Sequence, residues 1–98
     1  MMQFLYRLEL LPEFADETTW SAKEEEVVGD HFNYLKSLNE KGTVALAGRT
    51  LVEGDGKFGI VILQAETEEE ANEIMENDPA VSGRLMQATL YPFQIALS

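Results

Sequence analysis

Two different spacings of apolar residues follow one another along this chain, and they constrain its fold more than any other feature. Across residues 3–11, apolar side chains recur at every second position on one side, as in a β-strand, until Pro12 ends the pattern. Across residues 21–41 they recur every three to four positions, as in an amphipathic helix, and Gly42 follows as a helix stop. The sequence therefore predicts a first strand and then a long helix.

A turn rich in glycine separates the next two strand-like runs. These runs cover residues 44–53 and 58–65, and residues 54–57 between them read Gly-Asp-Gly-Lys. Glycine tolerates the positive φ angles that short chain reversals require. We therefore expect the two runs to form an antiparallel hairpin.

Helix signals return after the hairpin. Thr67 and Glu70 have the spacing of a capping box, which predicts a second, shorter helix that ends at Asp78-Pro79. The last apolar run, residues 85–97, contains a proline, so we predict that it is an edge strand or a bulged strand.

The predicted order is thus β-α-β-β-α-β, the split βαβ arrangement of a ferredoxin-like fold. In this α+β fold, a four-stranded antiparallel sheet carries both helices on one face. The chain has 98 residues and 45% apolar content, which suits one compact domain spanning residues 1–98.

The third predicted strand is apolar on both sides. Phe58, Ile60 and Ile62 lie on one side, and Val61 and Leu63 lie on the other. Two helices can cover only one face of the sheet, and a large exposed apolar sheet is an association surface. We therefore predict a homodimer formed by packing of the sheet faces, and a higher oligomer stays open.

Composition narrows the classes of partner. Eighteen Asp and Glu residues against seven Lys and Arg residues give a net charge of −11. Proteins bind polyanions through basic residues that release counterions from phosphates, so we expect neither a nucleic-acid nor a membrane partner. The chain has no cysteine, which suits a reducing compartment, and its N-terminal apolar run lacks the features of a signal peptide. We therefore expect a cytoplasmic protein.

The single histidine, His31, lies in the middle of the apolar stripe of the long helix. Its ring nitrogens need hydrogen-bond partners where water is excluded, so His31 either is satisfied structurally or lines a pocket. Asp78 could meet it, because both predicted helices pack on the same sheet face. A carboxylate bound to one ring nitrogen would make the other a general base near neutral pH. Alternatively, Asp78 binds the backbone of its own Asp-Pro turn and His31 is a core residue.

Several short motifs occur in a characteristic order and spacing. They are His31-Phe32-Asn33-Tyr34-Leu35, Leu38, Gly42, Ala47-Gly48, Thr67-Glu68-Glu69-Glu70-Ala71, Asp78-Pro79, Gly83 and Pro92-Phe93. Together they resemble the pattern of the YCII-related (YciI-like) family. The resemblance implies a dimeric α+β barrel, small soluble bacterial proteins, and an active site made of His31 and Asp78. Relatives with the same barrel include muconolactone isomerase-like enzymes, which move protons on small cyclic acids.

The chain departs from the family pattern at two positions. Arg49 stands where the family often has proline, and Ala80 stands where it often has an aromatic residue. A guanidinium at the pocket would favour an anionic ligand, whereas an Arg49 at the surface would only face nearby carboxylates. Arg7 could reach the pocket or an acid across the dimer. Tyr34 could close the pocket, donate a hydrogen bond, or simply pack in the core.

Two functions are consistent with these residues. In the first, His31 and Asp78 transfer protons in an elimination, an isomerisation or lactone chemistry on a small cyclic acid, with no metal or organic cofactor. In the second, the same pocket binds a small molecule without chemistry, as a ligand-binding or regulatory module. A metal-dependent enzyme is a weaker third hypothesis, because one histidine and scattered carboxylates make a poor transition-metal site.

Overall fold

The computed structural model describes residues 1–98 and contains four strands and three α-helices. In chain order the elements are β1 (Met2–Leu10), α1 (Ala22–Glu40), β2 (Val44–Arg49), β3 (Gly59–Ala65), α2 (Glu68–Glu76), α3 (Pro79–Ser82) and β4 (Met86–Phe93). The strands form one antiparallel sheet in the order β2-β3-β1-β4. This is the ferredoxin-like arrangement that the order of elements predicts. None of the helices is long and apolar enough to cross a membrane.

The helix α1 has the ends that the sequence predicts. The side chain of Ser21 accepts a hydrogen bond from the backbone, and the side chain of Glu24 binds back to the N–H of Ser21, which completes a capping box. At the other end, Gly42 has a φ of 85°, a conformation that glycine adopts at little cost. Local signals therefore fix where α1 begins and ends.

The core lies between the helices and one face of the sheet. Phe4, Tyr6 and Leu8 point to this face from β1 and are almost completely buried. They share one apolar cluster with residues such as Leu35 from α1 and Met75 from α2. Alternate residues of the central strand are thus buried under the helices, as a period of two requires.

The opposite face of the sheet carries no helix. Leu46, Tyr91 and Phe93 lie on this face and are 48%, 47% and 39% exposed. Arg7 also lies there, because it alternates along β1 with the buried Tyr6 and Leu8 and pairs with Ile60 of β3. In the following, these residues together with Leu5, Ile60 and Ile62 are called the open face.

The structure corrects the predicted bounds in three places. The second strand ends at Arg49, and the N–H of Thr50, the next residue, donates a hydrogen bond to the carbonyl of Phe58 at the base of the loop. The second helix ends at Glu76, and Asp78 begins a short third helix that the sequence analysis did not predict. The physical reason is Pro79, which keeps the residue before it extended but fits the first position of a helix. The last strand also ends earlier, at Phe93.

Candidate active site

The site begins with Asp78, the only buried residue with a charged side chain. Asp78 has an extended backbone and stands at the N-terminal cap of α3, where its Oδ1 accepts a hydrogen bond of 3.0 Å from the N–H of Ala80. Its side chain is 0% exposed, so every lone pair that is left without a donor would be costly. The carboxyl group is therefore expected to collect further donors.

His31 is one of the groups that contact Asp78. Its Nδ1 lies 2.6 Å from Oδ1 of Asp78, although the two residues are 47 positions apart in the chain. The His31 side chain is 15% exposed. In a neutral ring that donates through Nδ1, the proton is on Nδ1 and Nε2 keeps a free lone pair. The structure thus brings the two residues together and leaves Nε2 outside this hydrogen bond.

Tyr6 is the third member of the cluster, and the sequence analysis did not select it. Its hydroxyl donates a hydrogen bond of 2.8 Å to Oδ2 of Asp78. Burial, followed by the charge of Asp78, raises the pKa of Tyr6 well above its ordinary value of 10.0. The hydroxyl therefore stays a donor. A tyrosine at an inward position of a strand was the available signal, because a buried hydroxyl needs a partner.

Tyr34 lies on α1 one turn after His31, but its hydroxyl is engaged elsewhere. It donates a hydrogen bond of 2.7 Å to the carbonyl of Ile74 and so joins α1 to α2. Burial raises the pKa of Tyr34, and the negative charge of Asp78 adds to this effect. Of the three roles predicted for Tyr34, the structure thus shows a hydrogen bond and packing against the core, and no contact with the cavity described next.

A cavity of about 810 Å³ opens between α1 and the edge strand β2, and its lining also includes Leu46 and Ile60 of the open face. His31, Phe32 and Leu35 line it from α1, and Ala47 and Arg49 line it from β2. This volume falls within the range of known small-molecule sites, and apolar walls with a few polar groups are typical of them. His31 therefore connects the buried Asp78 to a space that a small molecule can enter.

Three of the seven basic residues of the chain line this cavity: Lys36, Arg49 and Lys57. Lys57 forms ion pairs with Glu17 and Glu53, and the hydrogen bond to Glu17 raises the pKa of Lys57. Lys36 and Arg49 take part in no ion pair. Two unpaired positive charges thus face the cavity of a strongly acidic protein.

Arg7 is the one predicted site residue that lies on the open face of the sheet, away from the cavity. Its guanidinium lies over the ring of Phe58, 4.4 Å from the ring centre, and its Nε is 3.8 Å from a carboxylate oxygen of Glu9. The Nε is buried and has no hydrogen-bond partner within the chain. No group of three or more His, Asp or Glu side chains is arranged to hold a metal ion.

One solved structure supports the fold. The chain is similar to 5-chloro-2-hydroxyhydroquinone dehydrochlorinase from Burkholderia phenoliruptrix AC1100, solved in complex with 2,5-dihydroxybenzoquinone, with a TM-score of 0.71 and 23% identity over 95% of this chain and 94% of the other. It also matches a de novo designed protein with a ferredoxin fold, with a TM-score of 0.48 and 21% identity over 100% and 90% of the two chains. No curated protein matches the chain.

The family pattern covers nearly all of the chain. The YCII-related domain matches residues 4–94, which include the strand of Tyr6, the helix of His31 and the turn of Asp78. With this match, and with the ferredoxin-like fold in place, the chain belongs to the YCII-related domain family.

Proposed function

We propose that this protein is an enzyme that transfers protons with His31 and Asp78, in an elimination, an isomerisation or lactone chemistry on a small cyclic acid. The observation that carries the proposal is the 2.6 Å contact between Nδ1 of His31 and Oδ1 of the buried Asp78, at the wall of an open cavity. No metal ion or organic cofactor is required for such chemistry. Asp78 orients the ring and stabilises the imidazolium that forms.

The chemical step uses Nε2 of His31 as a general base. Nε2 takes a proton from an acidic C–H or O–H group of the substrate, and the imidazolium forms beside the Asp78 carboxylate. In an isomerisation, Nε2 returns the proton to another atom of the same molecule. In an elimination, the electron pair left on the substrate expels a leaving group, which departs as an anion, and the proton later passes to solvent.

Elimination is the variant that the structural neighbour favours. That protein is by name a dehydrochlorinase, and its complex contains a six-membered ring compound, 2,5-dihydroxybenzoquinone. At 23% identity the similarity supports a shared fold, and the reaction is our proposal for the present protein. The apolar walls of the cavity suit a ring of that size.

Arg49 and Lys36 support an anionic substrate. Both line the cavity and neither is held in an ion pair. We propose that Arg49 binds a carboxylate or an ionised hydroxyl group of the substrate, which a planar guanidinium does through two parallel hydrogen bonds.

The open face supports a homodimer formed by sheet-to-sheet packing. Large apolar residues such as Leu46 and Tyr91 are about half exposed there, and the exposure of a contiguous apolar surface to water favours association. Within such a dimer, the unpartnered Nε of Arg7 would meet an acidic group of the second subunit. We also propose a cytoplasmic location, because a chain without cysteine suits a reducing compartment.

The direct test compares the parent protein with His31→Ala and His31→Gln. Chloride release from 5-chloro-2-hydroxyhydroquinone and isomerisation of muconolactone serve as probes of elimination and proton transfer. Loss of a general base lowers turnover by about 10²–10⁴-fold, and we expect a loss of this size in both variants. Circular dichroism shows that the fold is retained. Equal turnover of parent and variants would contradict the proposal.

The cavity itself also allows a second function, a non-catalytic module that binds a small ligand. A cavity of about 810 Å³ with two unpaired cations can bind an anion without any proton transfer. In that case the same probe compounds raise the melting temperature of the protein without being converted, because binding stabilises the folded state.

A further inference from the structure

We propose that Tyr6 is a positioning residue of the His31–Asp78 site, which holds the Asp78 carboxylate so that the neutral His31 ring keeps its proton on Nδ1. This inference deepens the proposed function and rests on it for its catalytic meaning. The geometry that carries it is independent of any activity: one carboxylate receives three donors from three separate elements, β1, α1 and the start of α3.

The two oxygens of the carboxylate bind different partners. Oδ1 receives the N–H of Ala80 at 3.0 Å and faces Nδ1 of His31 at 2.6 Å. Oδ2 receives only the hydroxyl of Tyr6, at 2.8 Å. Without that hydroxyl, the carboxylate plane is held at one end alone and can turn about its Cβ–Cγ bond, which moves Oδ1 relative to the histidine ring.

The position of Tyr6 suits a rigid anchor. It lies in the middle of β1, which is paired on both sides, with Val61 in β3 and Leu90 in β4. Its side chain is 0% exposed and packs in the main core cluster. The hydroxyl can therefore shift little, and a ring fixed by close packing transmits this rigidity to the carboxylate.

The chemistry of the set of donors points the same way. The N–H of Ala80 can only donate, and the Tyr6 hydroxyl donates to Oδ2, so these two fixed donors favour an ionised carboxylate that also accepts from Nδ1 of His31. Burial and the nearby charge of Asp78 keep the pKa of Tyr6 above its usual range, so Tyr6 does not become an acceptor. With Asp78 as an acceptor, His31 must donate through Nδ1, and Nε2 is then the free base that the proposed reaction needs.

The test uses Tyr6→Phe, which removes the hydroxyl and keeps the ring. Because His31 is the only histidine, long-range proton–nitrogen NMR of its ring reads the two tautomers without residue assignment. In the neutral ring of the parent we expect the Nδ1–H form to dominate. In Tyr6→Phe we expect the ratio of the Nδ1–H to the Nε2–H form to fall about tenfold, the effect of a hydrogen bond weakened by roughly 1.4 kcal/mol.

Tyr34→Phe is the matched control, because it also removes a tyrosine hydroxyl that binds a partner between elements, the carbonyl of Ile74. We expect it to leave the tautomer ratio at the parental value. A Tyr6→Phe variant with the same ratio as Tyr34→Phe would overturn the proposal. If Tyr6→Phe does not fold, the NMR signal of the Tyr6 hydroxyl proton in the parent protein is measured instead. A slowly exchanging signal that shifts in Asp78→Asn supports the hydrogen bond, and the absence of such a signal overturns the proposal.

This readout separates the two proposals. A changed tautomer ratio without turnover of any probe compound supports the role of Tyr6 and counts against the enzyme. Turnover that depends on His31, together with an unchanged ratio in Tyr6→Phe, supports the enzyme and overturns the role of Tyr6. Where turnover is found, the pH profile of kcat/KM in Tyr6→Phe shifts if Tyr6 acts through the histidine, and keeps its shape if Tyr6 only packs.

Discussion

Replacing Asp78 by asparagine changes one oxygen of a buried carboxylate into an amide group of nearly the same size. The parent side chain accepts three hydrogen bonds, from Tyr6, His31 and Ala80. An amide has only one acceptor atom. If that oxygen stays at the Oδ1 position, the bonds to His31 and Ala80 survive, but the amide NH₂ then faces the Tyr6 hydroxyl, whose proton loses its acceptor.

The size of the effect follows from these contacts. A buried donor left without a partner costs about 1–3 kcal/mol, and the two surviving bonds lose the strength that a charged acceptor gives them. We therefore expect the free energy of unfolding to fall by about 2–4 kcal/mol. For a domain of this length, each 1 kcal/mol lowers the melting temperature by about 4–8 °C.

The assay is urea unfolding at neutral pH, followed by circular dichroism and by the fluorescence of Trp20, the only tryptophan. Protein concentration is held constant, because association of subunits would add to the apparent stability. Asp16→Asn is the matched control. Asp16 also accepts two hydrogen bonds, both from Thr18, but it is exposed and caps a short turn, where asparagine serves about as well.

We expect the Asp16→Asn control to lose less than about 0.5 kcal/mol, as an exposed substitution does. The contrast between the two sites is the measurement that decides. If Asp78→Asn were as mild as Asp16→Asn, the three bonds to the buried carboxylate would not exist as described, and the argument for both Asp78 and Tyr6 would be refuted.

Three further predictions concern pH, the ligand and the open face. Because the pKa of Tyr6 is raised, the folded state keeps a proton that the unfolded state loses above about pH 10. The free energy of unfolding should therefore be unaffected below that pH and should fall above it by about 1.4 kcal/mol per pH unit more in the parent than in Tyr6→Phe. Equal slopes in urea titrations between about pH 9 and 11 would contradict this. Arg49→Gln should weaken binding of a carboxylated probe about tenfold or more by calorimetry, while Lys23→Gln, outside the cavity, should leave it unchanged. Light scattering at micromolar concentration should give the mass of a dimer for the parent and of a monomer for Leu46→Glu, which places a charge on the open face; a monomeric parent would end the dimer hypothesis.

Much of the fold could be predicted from the sequence, because the signals involved are local. The limits of α1 follow from Ser21, Glu24 and Gly42, which act within a few residues of the helix ends. The inward side of β1 follows from its period of two, and the predicted pattern agrees with the buried residues Phe4 and Leu8. The secondary structure of a segment, and the side of it on which each residue lies, depend mainly on residues nearby in the chain, which can be read directly from the sequence.

The third helix was missed for the same local reason. An Asp-Pro pair ends one helix and can also begin another, and the sequence analysis used only the first meaning. Four residues of helix, Pro79–Ser82, were too few to show an apolar period. They matter, because they turn Asp78 from the last residue of α2 into the cap of α3, with its carboxylate directed into the core.

The chain by itself therefore determined the order of its elements, the apolar face on which His31 lies, and the candidates for a polar pair. Only the tertiary structure decided that Asp78 is fully buried, that Tyr6 is its third partner, and that Arg49 lines the cavity while Arg7 lies on the other side of the sheet. The contacts of Asp78 join residues 47 and 72 positions apart. Such distances close only when helices and strands pack, and no periodicity within one element specifies which side chains then meet.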